Sequence, residues 1–252
     1  MIVSINQPAY LPWAGYFHRI AASDVHVVLD HVQFEKNSFT NRNKVRTHQG
    51  WTWLTVPVRT KGRFGDLAIN RAEIAAGPNW ARKHWDTLRL GYAKAPYFQE
   101  HARFFQGVYS REWTSLDALL RETTNYLLEA LGIGTRILYS SQMSPQGSKA
   151  QMVLNLCRTA GAQVYFSGAL GRDYLCELEF EEAGIRVAYQ EYLPTPYPQL
   201  HPGFEPFMSA VDLLFNCGPQ SLSVLMSGNM STGGVRAMTG ENTNGRFLQG
   251  VG

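Results

Sequence analysis

The N-terminal segment predicts two buried parallel strands joined by a helix, and this unit constrains the fold more than any other feature. Ile2–Asn6 is a short apolar run, and residues 25–29 form a second one. Between them Trp13, Phe17 and Ile20 recur at helical spacing. Two strands that flank a single helix are parallel neighbours in one sheet. The sequence therefore predicts an α/β fold that begins with a βαβ unit.

The rest of the chain predicts a parallel or mixed sheet interrupted by a helical middle subdomain. Apolar stripes predict three helices within residues 79–131, the third starting at a capping box at 114–117 and ending before Gly132. Further strands are predicted at residues 51–58, 67–74, 136–141, 164–168 and 186–192, and further helices at 148–160 and 209–218. We expect residues 1–226 to form one domain. The tail at 227–252, rich in Gly, Ser, Thr and Asn, is expected to be flexible.

Composition excludes several functional classes. No apolar stretch approaches the roughly 18 residues of a membrane span, and the first residues lack the pattern of a signal peptide. The three cysteines and seven histidines show no metal-ligand spacing. We therefore expect a cytoplasmic protein with reduced thiols, no metal and no cofactor.

Positive charge is concentrated in one segment. Residues 36–71 hold eight basic residues and one acid, Asp66, whereas the whole chain carries a net charge of only +3. Such a segment can bind phosphate groups, or it can simply be a solvated surface. Because a dedicated nucleic-acid binder needs a broader basic surface, we expect a small phosphorylated substrate and no nucleic acid. Self-association as a homodimer is left open.

The turn at residues 7–17 is the first candidate site, since α/β folds bind ligands in loops that leave the carboxyl ends of parallel strands. Two prolines stiffen this turn. We expect Gln7, Tyr10, Trp13 and Tyr16 to bind substrate. The alternative is a structural turn that only packs its aromatic rings.

The second candidate site begins at Asp30, which ends a predicted strand and could act as a general base. A structural ion pair between this carboxylate and an arginine is the alternative. Polar residues expected to bind a phosphate-bearing substrate follow it: Gln33, Lys36, Arg42, Asn43 and Lys44. If so, Arg42→Ala should weaken substrate binding strongly and in a salt-dependent way.

A third candidate site follows the strand predicted near residue 165. Ser167 and Asp173 are candidate catalytic residues, and Tyr174 is a candidate substrate contact. Ser167 lacks the GxSxG context of a hydrolase nucleophile. Ser209 and Asp212 share one face of a later helix and could support the loops above it.

Four motifs at these places resemble the WbqC-like protein family. They are QPxYLPWxGYF at residues 7–17, DxVQ at 30–33, RNK at 42–44 and YxSGxxGxxYL at 165–175. The resemblance covers roughly residues 2–226. It implies a bacterial protein of surface-polysaccharide gene clusters, for which a glycine (aminoacyl) transferase role has been suggested.

The leading hypothesis is an acyl or aminoacyl transferase that acts on a phosphate-bearing substrate such as a nucleotide-linked sugar. A non-catalytic ligand-binding accessory protein is the first alternative. An ATP-dependent ligase or nucleotidyltransferase-like enzyme is the second, because residues 13–16 occupy the position of the HxGH motif of nucleotidyltransferases, although both histidines are missing.

Overall fold

The computed structural model describes residues 1–63, 65–77 and 79–238, and strands within these residues form a parallel sheet and a hairpin. The strands are β1 (Ile2–Asn6), β2 (Val25–Val28), β3 (Arg42–Thr47), β4 (Gly50–Thr55), β5 (Arg136–Tyr139), β6 (Val164–Ser167) and β7 (Arg186–Tyr189). The parallel sheet has the order β5-β2-β1-β6-β7, and β3 pairs with β4 in an antiparallel hairpin.

Helices flank the sheet and fill the middle of the chain. They are α1 (Ala14–Ala21), α2 (Trp80–Tyr92), α3 (Phe98–Ser110), α4 (Leu116–Ala130), α5 (Lys149–Thr159), α6 (Glu177–Glu182), α7 (Ala210–Cys217), α8 (Ser221–Met226) and α9 (Thr232–Met238). The α/β class, the parallel pairing of β1 with β2 and the three central helices are as the sequence predicts.

Apolar side chains on both faces explain why the sheet is sandwiched between helices. Val3 and Ile5 of β1 point into a cluster with α5 and α6, whereas Ile2 lies in a second cluster with Phe166 and with Val235 of α9. Because successive strand residues face opposite sides, a continuously apolar strand must be covered twice.

Successive strands are added to the sheet first on one side of β1 and then on the other, so the direction of strand addition reverses between β1 and β6. After β1 the sheet grows through β2 to β5, and then the chain crosses over to β6 and β7 on the other side of β1. All four pairings are parallel, so the carboxyl ends share one edge of the sheet. Crevices at such reversals are where doubly wound folds bind ligands.

The segment between β2 and β5 carries the hairpin and α2, α3 and α4. Its apolar side chains join those of residues 9–20 and of α7 in one cluster. Helix α4 begins one residue later than the predicted capping box, because Ser115 rather than Thr114 is the N-cap and its hydroxyl accepts a hydrogen bond from the Ala118 amide at 3.2 Å. Gly132, just after α4, adopts the left-handed conformation with φ of 69°.

Asp212 of α7 ties the loop at residues 197–205 to this core. It is fully buried and accepts hydrogen bonds from the hydroxyls of Tyr92 and Tyr197 at 2.8 and 2.7 Å. The Gln199 side-chain amide donates a third at 2.8 Å. Two of the three donors to this buried carboxylate, Tyr197 and Gln199, come from the loop, so their bonds hold an otherwise irregular segment in place.

Three predictions of local structure were wrong. Residues 67–74 form a 3₁₀ helix, Ile69–Arg71, and isolated bridges rather than a strand. Strand β3 lies in the basic segment, where no strand was predicted before residue 51, and the strand predicted at 51–58 is β4, which ends at Thr55. Residues 232–238 of the expected flexible tail form α9, because Val235 is fully buried against the sheet. Residues 239–252 of that tail lie outside the described residues.

Two of the composition-based expectations can be compared with the described residues. No helix there is long and apolar enough to cross a membrane. The three cysteines are free thiols, with Cys157 and Cys217 buried and Cys176 exposed.

Three buried histidines should make the fold acid-labile. Burial lowers the pKa of His18 and His84 to about 4 and that of His26 to about 3, from an ordinary value of 6.5. Because the depressed values belong to the folded state, full stability is present above pH 6.5 and is lost as the pH falls toward 4. Each histidine should lower the free energy of unfolding by about 1.4 kcal/mol per pH unit in that window.

The measurement is denaturant unfolding between pH 7 and pH 4.5. His84→Gln should reduce the pH slope by about one proton. Equal slopes for wild type and His84→Gln would contradict the assignment.

Candidate functional site

A cleft of about 690 Å³ opens at the carboxyl ends of the strands, between β1 and β6, where the direction of strand addition reverses. Residues from the carboxyl ends of β1, β6 and β7 and from α1 line it: Ile5, Asn6, Gln7, Trp13, Arg19, Leu29, Val153, Tyr165, Ser167, Gly168, Ala169, Leu170, Gly171, Tyr174, Gln190, Glu191, Tyr192 and Leu193. Its size falls within the range of roughly 300–1,000 Å³ typical of small-molecule sites.

Arg19 supplies the positive charge of this cleft. It projects from α1, and its guanidinium donates a hydrogen bond to the side-chain oxygen of Asn6 at the end of β1. Within the described part of the chain, no carboxylate pairs with Arg19. Burial accordingly lowers the pKa of the Arg19 guanidinium.

Two further donor atoms beside this contact have no partner. Arg19 Nε and the Asn6 side-chain nitrogen are both buried, and neither makes a hydrogen bond within the described residues. A buried donor without an acceptor costs about 1–3 kcal/mol. Because both residues line the cleft, an acceptor bound there can satisfy these atoms.

Two glycines after β6 explain why this cleft can form. A side chain at Gly168 would overlap the Arg19 guanidinium, and one at Gly171 would overlap the Ser167 hydroxyl. The SGxxG motif therefore makes room for Arg19 and Ser167 rather than supplying a phosphate-binding turn of its own.

Trp13 forms one wall of the cleft because Gly15 leaves space for its ring. A side chain at Gly15 would overlap the indole, and the Gln190 amide donates to the Gly15 carbonyl at 2.8 Å. The ring of Tyr192 meets the indole edge-on, with centroids 5.3 Å apart. The far side of the indole contacts Phe207.

Other residues of the turn at 7–17 have structural roles. Leu11 has a left-handed φ of 42°, and Asn43 of β3 donates to its carbonyl at 2.9 Å. Tyr10 is fully buried, and its hydroxyl bonds to His84 Nδ1 at 2.8 Å and to the hydroxyl of Tyr109. The RNK element thus holds the turn in a conformation that leucine rarely adopts.

Asp30 lies in a buried ion pair. Its carboxylate contacts Arg121 at 2.8 Å and accepts bonds from the Ser140 hydroxyl at 2.9 Å and the Ser141 hydroxyl at 2.7 Å. The Ser141 amide donates a further bond at 2.9 Å, and Asp30 does not line the cleft. This geometry favours the structural alternative over a general base.

The basic residues expected to hold phosphate are not brought to the cleft. Arg42 stacks on Trp53 at 4.3 Å, and Lys44 lies 4.5 Å above Trp51 on the outer face of the hairpin. Lys36 lines a separate cavity of about 490 Å³ with Gln33, whose side chain also accepts a bond from the Leu67 amide.

The remaining predicted residues divide between the cleft and its surroundings. Gln7, Trp13, Ser167 and Tyr174 share the cleft lining. The Ser167 hydroxyl donates to the Gly168 carbonyl at 3.1 Å, and no described histidine or carboxylate hydrogen-bonds to it. Tyr16 is buried against Phe17 and His26, and Asp173 is exposed and outside the lining.

Sequence reasoning missed Arg19, Asn6, Gln190 and Tyr192. Arg19 did carry a signal, because it interrupts a strongly apolar helix between Phe17 and Ile20. In the described residues no group of three or more His, Cys, Asp or Glu is placed to hold a metal. The cleft thus offers hydrogen-bond donors, one cation and aromatic rings, a set suited to an anionic, ring-bearing ligand.

We expect Gly15→Ala to displace Trp13, because the added methyl overlaps the indole. The free energy of unfolding should fall by about 1–3 kcal/mol, and the tryptophan emission spectrum should change. Gly107→Ala, in α3 where an added methyl meets nothing within 4 Å, is the matched control and should be neutral or slightly stabilising. Equal stability of the two variants would show that Gly15 is not needed for this packing.

Comparison with known sequences agrees with the motifs in this site. The sequence model of the WbqC-like protein family matches residues 7–224. The uncharacterized protein Rv1507c of Mycobacterium tuberculosis is 39% identical over 221 residues, which cover 87% of this chain and 95% of that protein. No solved structure gives a significant match. The chain therefore belongs to the WbqC-like protein family.

Proposed function

We propose that the cleft binds a phosphate-bearing small molecule and that the chain acts on it as an acyl or aminoacyl transferase, with a nucleotide-linked sugar as the acceptor. The observation that carries the proposal is the pairing of Arg19 with Asn6 at the strand reversal. Their free donor atoms and the unneutralised cation suit an oxyanion.

A phosphate fits this place better than a neutral group. Arg19 is partly buried and so loses part of its hydration, and the described residues provide no counter-charge that would offset this cost. A phosphate carries negative charge and three acceptor oxygens, enough for Arg19 Nε, its terminal nitrogens and the Asn6 amide together.

The walls beside Arg19 suit the remainder of a nucleotide-linked sugar. The rings of Trp13 and Tyr192 offer flat apolar surfaces on which a sugar or base can pack. The side chains of Gln7 and Gln190 add amide groups for hydroxyls, although Gln190 already donates to the Gly15 carbonyl.

In the proposed transfer, an amine or hydroxyl of the acceptor attacks the carbonyl carbon of an activated acyl group. A new C–N or C–O bond forms, the bond to the leaving group breaks, and the acceptor proton passes to the leaving group. Ser167 supplies one of the hydroxyls that line the cleft, beside those of Tyr165, Tyr174 and Tyr192, and we assign it the contact with the reacting atoms. The transfer itself is suggested by the family resemblance.

A non-catalytic ligand-binding protein is the second candidate, and the composition of the cleft favours it. Among the described residues no histidine or aspartate lines the cleft, and the glutamate that does, Glu191, is exposed and pairs with Arg172 at 2.8 Å. A transferase built here would depend on its substrates for proton transfer, whereas a binding protein needs no base.

The binding test compares Arg19→Gln with Arg42→Ala by calorimetry, using inorganic pyrophosphate and nucleoside diphosphate sugars. We expect Arg19→Gln to weaken binding by about 10- to 100-fold, because a hydrogen bond to a charged group contributes about 1.5–3 kcal/mol. Arg42→Ala should change it less than about threefold. The reverse ranking would move the phosphate site to the hairpin and overturn the proposal.

The same ligands separate the two candidate functions. Each stabilising ligand is incubated with aminoacyl and acyl thioester donors, and the product mass is measured. A mass increase that requires the protein supports the transferase. Binding without product from any combination of donor and acceptor supports the binding protein.

A further inference from the structure

The mouth of the cleft carries large apolar side chains that the phosphate site does not need. Leu170 and Leu193 both line the cleft, yet 77% and 68% of their surfaces are exposed. Tyr174 beside them is 49% exposed. A single exposed leucine is ordinary, but two at the mouth of one cleft indicate contact with something apolar.

These leucines stand on anchored backbone. The amide of Leu193 donates to the Asn229 side chain at 2.8 Å, and the Asn229 amide returns a bond to the Leu193 carbonyl at 2.9 Å. Leu170 lies in the 3₁₀ helix Ala169–Asp173, in which Gly171 donates to the Gly168 carbonyl at 2.9 Å. Both side chains are therefore held in solvent by ordered structure.

Further apolar side chains line the same cleft. Ile5, Leu29 and Val153 line it together with the two leucines, while Arg19 and Asn6 lie among the polar lining residues. The site thus combines an anion-binding group with an aliphatic surface.

We propose that the ligand's phosphate carries an aliphatic chain that runs from Arg19 and Asn6 out over Leu170 and Leu193, so that the substrate class is an alkyl phosphate or phosphodiester. This inference rests on the proposed phosphate site but not on the nucleotide-linked sugar named above: the ligand it assigns carries an aliphatic chain where a nucleotide-linked sugar carries a nucleoside. Charge complementarity at Arg19 places one end of the ligand, and the exposed leucines of the same cleft offer the other end an apolar surface.

The test measures binding of inorganic phosphate and of n-butyl, n-hexyl and n-octyl phosphate below their micelle concentrations. Affinity should rise two- to fourfold per methylene, since full burial of one methylene is worth about fourfold. The double variant Leu170→Ser/Leu193→Ser should flatten this rise while leaving inorganic phosphate binding unchanged. Leu90→Ser on α2, 74% exposed and outside the cleft, is the matched control and should retain the rise.

The outcomes distinguish this inference from the proposed function. If inorganic phosphate binds but butyl and octyl phosphate bind equally, the assignment of an aliphatic chain is overturned and the phosphate site stands. If affinity rises with chain length but Arg19→Gln has no effect on any ligand, the phosphate site is overturned. A rise that the double serine variant retains also overturns the assignment to Leu170 and Leu193.

Discussion

The contact between Arg19 and Asn6 is the interaction on which the candidate site depends. It brings a cation from α1 to the carboxyl end of the central strand, where the direction of strand addition reverses. A partly buried charge without a counter-charge lowers stability, so a bound anion would stabilise the fold. Gly168 leaves space for the guanidinium, since any side chain there would overlap it.

The turn at residues 7–17, which carries the longest of the family motifs, mainly positions other parts of the site and supplies little of its chemistry. Tyr10 is buried in a hydrogen-bonded cluster, and Asn43 holds Leu11 in a left-handed conformation. Because Gly15 has no side chain, the indole of Trp13 can pack against it and line the cleft. Backbone strain of this kind persists only where surrounding contacts over-determine it. The turn therefore positions one aromatic wall and the start of the helix that carries Arg19.

The βαβ start and the central helices follow from local patterns, and the sequence predicted them, although the cap of α4 is Ser115 and not the first residue of the predicted capping box. The strand order and the site did not follow, because both depend on non-local pairing. From the sequence Arg42 and Lys44 were expected to bind phosphate. In the structure β3 pairs with β4, and both side chains lie over tryptophan rings of β4 instead. Asp30 at a strand end has the position of a catalytic carboxylate, but Arg121, 91 residues later, neutralises it. Arg19 looked like an ordinary helical arginine, since its missing counter-charge is visible only in three dimensions.

The most direct test of the account is to locate a bound anion. Crystals soaked with tungstate, a heavy analogue of phosphate, would show its position by anomalous scattering. The account predicts a peak within hydrogen-bonding distance of the Arg19 guanidinium and the Asn6 amide, and no such peak in Arg19→Gln crystals. A peak at Arg42 and Lys44 on the hairpin, with none in the cleft, would contradict it.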